Sequence, residues 1–115
     1  MSFGTIDQAI ADLRAGKFIV VADDEDRENE GDLIGAAEFI TSEMVNFLMQ
    51  AKGMICLALS PERIKQLDLP LMGVENTEAM RTAFTVTIDA APRFGVTTGI
   101  SAPDQAATIR AAANP

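Results

Sequence analysis

The 115-residue chain has no histidine, no tryptophan, no tyrosine and a single cysteine, Cys56. One thiol cannot form an intrachain disulfide or a cysteine-based zinc site, and such a chain suits a reducing compartment. Without histidine there is no imidazole to ligate a metal. Six phenylalanines are the whole aromatic content, so the core must be aliphatic, built from Ile, Leu, Val, Met and Ala. Basic residues are scarce: nine Lys and Arg face seventeen Asp and Glu, a net charge of −8. Phosphate-backbone contacts need a basic patch, so nucleic acid is excluded as a partner. No apolar run approaches the roughly 20 residues of a membrane span. Met1 to Thr5 has neither the basic nor the apolar region of a signal peptide. The expected setting is the cytoplasm.

Hydrophobic residues make up 48% and charged residues 23%, ordinary proportions for a globular chain. The length suits one domain, residues 1–115. Thr5-Ile6-Asp7-Gln8 has capping-box spacing, and Ile6, Ile10 and Leu13 follow at helical spacing up to Gly16. Residues 18–22 (FIVVA) form a continuous apolar run, the signature of a strand buried on both faces. Residues 33–39 are expected to be a second strand. Ser42 is expected to cap a helix carrying Met44, Phe47, Leu48 and Ala51 and stopped at Gly53. Residues 54–59 (MICLAL) again suggest a buried strand, and Ser60-Pro61 a helix start. Residues 68–81 are mostly loop. Residues 84–89 alternate as a half-wet strand does. A Gly/Thr-rich loop over 93–99 leads to a helix capped by Ser101. Strands interleaved with helices imply an α+β fold, a layered α/β sandwich with a mixed sheet flanked by helices.

Seven carboxylates lie between Asp23 and Asp32, directly after the first apolar strand. Their mutual repulsion is relieved by a cation, and a hard divalent metal with oxygen ligands is the natural one. Magnesium takes only one or two carboxylates and keeps waters that a substrate can replace. Close carboxylates also separate one another's pKa values, so that one can act as a base beside an ionised neighbour. Arg27 offers a planar fork for phosphate or carboxylate. Gly31 permits a sharp turn or a close approach to a ligand. The spacing disfavours an EF-hand loop, because Gly31 does not fall at the sixth loop position with a glutamate six residues on. Chemistry alone leaves two readings open, a solvated charged loop and a divalent-metal site.

The ordered string Asp23-Asp24-Glu25-Asp26-Arg27-Glu28-Asn29-Glu30-Gly31-Asp32 resembles the signature of the 3,4-dihydroxy-2-butanone-4-phosphate synthase family. The resemblance continues through residues 65–70 (KQLDLP), 82–88 (TAFTVTI) and 95–102 (GVTTGISA), and so covers nearly the whole chain in order. It implies conversion of ribulose 5-phosphate to 3,4-dihydroxy-2-butanone 4-phosphate and formate, by enolisation, skeletal rearrangement and loss of C4. By the resemblance, Glu28 is a ligand to magnesium or manganese, and Arg27, Glu28, Asp32 and Thr97 contact the sugar phosphate. Asp23 and Glu30 are acid–base candidates. Cys56 lies near the active site, although a small buried hydrophobe is its expected main role. Thr97, Thr98 and Asp104 belong to a loop near the site, or equally serve turn chemistry and capping. Arg81 and Arg93 are loop cations with a surface role, and Met44, Met49, Met54, Met72 and Met80 are filler in core or loops.

The resemblance also implies a homodimer and a second half of the domain. That half carries a histidine ligand to the metal, phosphate-binding residues and a further glutamate. The 115 residues alone are therefore expected to show little or no synthase activity. Gln105 stands where the family commonly has arginine, which puts loop or dimer stability in question. A non-catalytic module binding a divalent metal or a sugar phosphate is the alternative, and a structural fragment a third.

Overall fold

The computed structural model describes residues 2–77, 79 and 81–115; Met80 lies outside this set. The elements run α1 (Ile6–Arg14), β1 (Ile19–Ala22), β2 (Gly31–Ile34), a 3₁₀ turn (Ala37–Phe39), α2 (Ser42–Gln50), α3 (Pro61–Gln66), a second 3₁₀ turn (Pro92–Phe94) and α4 (Ala102–Ala113). The fold is α+β. The sheet is smaller than the sequence suggests: among the described residues β1 and β2 form an antiparallel pair and no mixed sheet. Ile19 pairs with Ile34, Val20 with Leu33, Val21 with Asp32 and Ala22 with Gly31.

Local chemistry sets the helix ends. Thr5 and Gln8 close the expected capping box on α1, and Gly16 follows its end with φ 75°. Thr41, not Ser42, caps α2, accepting from the Met44 N–H at 3.1 Å. Lys52 (φ 61°), not Gly53, takes the left-handed position after that helix. Ser60 and Ser101 cap α3 and α4 through the N–H groups of Arg63 and Asp104.

A small aliphatic core of Ile40, Val45 and Ala106 is flanked by Phe18, Met44, Ile55, Ala102 and Ile109. It lies where α4 crosses α2. Arg110 Nη1 ties α4 to the chain ahead of α2 through the Ile40 carbonyl at 3.0 Å. Arg63 grips the other end of α4: Nε donates to the Ala112 carbonyl at 2.7 Å, and Nη2 to Ala111 at 3.1 Å and Asn114 at 2.7 Å. A guanidinium there satisfies carbonyls that a helix C-terminus leaves without partners and opposes its dipole.

The hairpin docks on this frame at its base. Phe18 stacks on Phe47 of α2 with centroids 5.7 Å apart. A Cβ on Gly35 would lie 2.8 Å from the Phe18 ring. Only glycine allows that approach, and the chain then leaves the ladder. The strand expected over 33–39 is thus a strand over 31–34 followed by a 3₁₀ turn.

The other expected strands differ too. Residues 54–59 lie in no ladder among the described residues, but Ile55, Leu57 and Leu59 are half-buried while Met54, Cys56 and Ala58 are exposed. Residues 84–89 contribute one bridge, Thr85 with Leu71. The runs expected to be buried on both faces are open: Val20 is 70% and Met54 76% exposed. The total accessible surface is 8875 Å², against roughly 6,100 Å² for a compact monomer of this size. The radius of gyration is 15.4 Å, against about 13 Å. The apolar runs have the composition of buried strands, but among the described residues Val20 and Met54 stay uncovered.

The Asp104 carboxylate is 4% exposed at the start of α4. Its Oδ2 accepts from the Thr97 hydroxyl at 2.8 Å, the Thr97 N–H at 3.1 Å and the Gly99 N–H at 3.0 Å. The hydroxyl bond leads in holding its pKa below the ordinary 3.8, helped by the Gly99 N–H against the cost of burial. The Asp89 carboxylate sits across Gly99, where an added Cβ would overlap it. A depressed carboxylate pKa contributes stability that is present above the unfolded value and lost as pH falls through the folded one. We therefore predict that the Thr97 and Gly99 amide resonances hold their positions from neutral pH down to the ordinary aspartate range and move below it. Asp104→Asn should remove that acid transition, and its persistence in the variant would contradict the assignment. Arg63→Met should cost about 2 kcal/mol in a denaturant titration, the scale of charged hydrogen bonds left unmade. A loss within experimental error would show that water replaces the clamp.

Candidate active site

The acidic segment is the loop of the β1–β2 hairpin. The Asp23 N–H donates to the Glu30 carbonyl at 2.8 Å and carries the ladder one step past Ala22 and Gly31. Inside that closure the chain coils. The Asp24 carbonyl accepts from the N–H groups of both Arg27 and Asn29, each at 3.1 Å. Asn29 takes the left-handed conformation, φ 52°, which asparagine tolerates better than most residues. Gly31 has no positive φ and pairs within β2. Of the two uses that Gly31 permits, a sharp turn or a close approach to a ligand, the turn is made instead at Asn29, two residues earlier.

Asp23 organises the loop. Its Oδ1 accepts from the Asp24 N–H at 2.9 Å, and its Oδ2 from the Glu28 N–H at 3.0 Å and from Arg27 Nη1 at 2.8 Å. Its side chain is 15% exposed. The Glu28 N–H is the main cause holding its carboxyl below the usual aspartate range, partial burial opposes, and the Asp24 N–H and the Arg27 charge add to the lowering. A carboxylate so occupied is a fixed anion that shapes the loop. Arg27 is half-exposed, with Nη2 3.6 Å from Glu28 Oε1. Only part of its five-donor fork is used. Glu28 keeps its carboxylate near the surface. Glu30 and Asp32 are exposed, and neither side chain has a hydrogen bond or ion pair among the described residues.

The structure thus brings Asp23, Arg27 and Glu28 into contact and places Glu30 and Asp32 on the same hairpin. It does not join Cys56 or Thr97 to them by any hydrogen bond among the described residues. Cys56 is exposed, which corrects its expected burial. Thr97 gives both its N–H and its hydroxyl to Asp104. Arg81 and Arg93 act locally: Arg81 Nη1 donates to the Asn76 carbonyl at 2.6 Å, and Arg93 lies 4.9 Å over the Phe94 ring. Asp104 escaped sequence reasoning as a buried anion. The available signal was its place three residues after the capping Ser101, behind a Thr-Thr-Gly turn.

Among the described residues no three Asp, Glu or Cys side chains converge as a metal cage would require. The arrangement offers instead one accessible carboxylate, Glu28, beside a guanidinium. That donor set fits magnesium, which is held by one or two carboxylates and completes its octahedron with water and substrate oxygens. A cavity of about 370 Å³ at the Arg63 clamp, lined in part by Ser60, Glu62 and Gln66, is remote in sequence from the hairpin. No helix among the described residues is long and apolar enough to cross a membrane.

The chain resembles known proteins over nearly its whole length. The chain is 60% identical over 114 residues to the riboflavin biosynthesis protein RibBA of Synechocystis, a match over 98% of the chain and 20% of that protein. It is 49% identical over 112 residues to the 3,4-dihydroxy-2-butanone 4-phosphate synthase of Agrobacterium fabrum, covering 96% of the chain and 52% of the relative. A crystal structure of 3,4-dihydroxy-2-butanone 4-phosphate synthase in complex with two magnesium ions superposes with a TM-score of 0.92 at 46% identity, covering 98% of this chain and 52% of that one. The chain thus spans about half the length, or less, of these relatives. The family model for 3,4-dihydroxy-2-butanone 4-phosphate synthase matches residues 7–115, and the chain belongs to that family.

Proposed function

We propose that this chain is the N-terminal part of a synthase domain. That domain converts D-ribulose 5-phosphate to 3,4-dihydroxy-2-butanone 4-phosphate and formate, a carbon–carbon lyase step of riboflavin biosynthesis. The observation that carries the reading is the prearranged hairpin loop, in which Asp23 fixes Arg27 and Glu28 side by side, in a chain of this family. The open apolar runs and the excess surface support the view that a further part of the domain covers this one. The same reading makes the whole protein a cytoplasmic homodimer.

Each residue then has a task. Arg27 retains donors for a phosphate or sugar oxygen. Glu28 would hold magnesium or manganese, and a crystallised relative was solved with two magnesium ions. When bound, such a metal stabilises negative charge developing on a substrate oxygen. Asp32, at the start of β2, accepts from sugar hydroxyls. Glu30, exposed and without a side-chain partner, carries protons between substrate carbon and oxygen during enolisation. Asp23 keeps Arg27 and Glu28 in register rather than exchanging a proton, because its anion is already stabilised by three donors. Cys56 and Thr97 stand on other segments and reach the substrate only if it spans from the hairpin to them.

The pairing of one accessible carboxylate, Glu28, with the Arg27 guanidinium supports a second reading for the isolated chain, a module that binds metal or sugar phosphate without turnover. A chimaera separates the two. Residues 1–115 replace the matching segment of the Agrobacterium fabrum relative, and formate release from ribulose 5-phosphate is followed with magnesium. The synthase reading predicts release by the chimaera, a loss of at least a hundredfold with Glu28→Gln, and near-zero release by the 115 residues alone. A folded chimaera without turnover would favour the binding module, and turnover indifferent to Glu28→Gln would remove Glu28 from the site.

A further inference from the structure

Residues 54–59 (MICLAL) run between α2 and α3 with the side-chain order of a strand: Ile55, Leu57 and Leu59 are half-buried, and Met54, Cys56 and Ala58 are exposed. None of their backbone N–H or C=O groups has a hydrogen-bond partner among the described residues. The run therefore presents a row of donors and acceptors of the kind that a folded domain pairs. A strand that stays at a sheet edge carries a device against further pairing, such as a charge, a proline or a bulge. Between Met54 and Leu59 there is no charge, no proline and no glycine. Residues 84–86, by contrast, already spend bonds on residues 70–72: the Val86 N–H donates to the Pro70 carbonyl at 3.0 Å, and the Phe84 carbonyl accepts from the Met72 N–H at 2.9 Å. The 54–59 run thus has the sequence of an interior strand without the bonds of one.

The size of the open surface decides what pairs with it. The chain exposes roughly 2,700 Å² more than a compact monomer of its size, whereas a partner in a standard interface covers about 800 Å². A second copy docked in that way leaves most of the excess open. A further part of the same domain is large enough: the Agrobacterium fabrum relative is about twice as long as the span it shares with this chain. We infer that residues 54–59 are an interior strand of the complete synthase domain and take up a strand from the part of that domain lying outside these 115 residues. The inference rests on the synthase reading for the identity of that partner. Main-chain hydrogen bonds carry the recognition, and the alternating apolar side chains set its register.

Hydrogen exchange read at each amide tests this, in the 115-residue chain and in the chimaera described above, with the α4 amides, bonded within their helix, as reference. In the chain alone the amides of residues 54–59 should exchange at close to the rate of an unstructured peptide. In the chimaera at least alternate ones should slow by roughly a hundredfold or more, because one new neighbour bonds every second N–H and two bond them all. The intact Agrobacterium fabrum relative, read at the segment aligned with residues 54–59, supplies the same readout if the chimaera does not fold. Free exchange there, or in a chimaera that releases formate, would overturn the inference and leave the synthase reading intact. Slowed exchange in a folded chimaera without turnover would support the inference while counting against the synthase reading. Slowed exchange in the chain alone would overturn it: a monomer in sedimentation would mean bonds already made within the chain, and a dimer would make a second copy the partner.

Discussion

The candidate site depends on the Asp23 carboxylate. Six acids in a short hairpin loop, with Asp32 a seventh at its edge, repel one another, and an unconstrained loop of that composition would extend into solvent. Asp23 reverses this locally by collecting the Asp24 and Glu28 N–H groups and the Arg27 guanidinium. Those donors favour its charged form, so the residue that shapes the loop is the least suited there to exchange protons. The consequence is a division of labour. One carboxylate is committed to shape, while Glu28 and Glu30 stay available for ligands.

The hairpin is held at its opposite end by packing. Phe18 lies between Gly35 and Phe47, and α2 is in turn fixed by α4. Two charged clamps secure α4, Arg63 on its terminal carbonyls and Arg110 on Ile40. The buried core is small, and much apolar surface on β1 and along residues 54–59 faces outward. A chain in this state gains only part of the burial that its composition can supply. The polar clamps and helix caps therefore carry an unusual share of the order.

Helix positions were legible because caps and periodicity are local. Thr5 with Gln8, Ser60 with Pro61 and Ser101 all stand where the sequence puts them. The acidic loop was legible as a non-core segment because seven carboxylates in ten residues cannot be buried together, whereas its assignment to a metal came from the resemblance. Strand pairing was not, since it depends on a partner: residues 54–59 have the pattern of a strand but no ladder neighbour among the described residues. The left-handed position fell to Asn29 instead of Gly31 because hairpin register, invisible in one strand's sequence, drew Gly31 into β2. Asp104 was missed as an anchor for a similar reason, since what buries it is the tertiary fold of its own turn.

The central claim is that metal and substrate meet at the Glu28 side of the Asp23-organised loop. Paramagnetic broadening by Mn²⁺, titrated into the isotopically labelled chain and observed at each backbone amide, tests it most directly. The account predicts broadening concentrated on residues 27–32, reversed by excess Mg²⁺ and abolished by Glu28→Gln. Broadening spread evenly over surface acids such as Glu43, Glu62 and Asp68, or unchanged in Glu28→Gln, would contradict it.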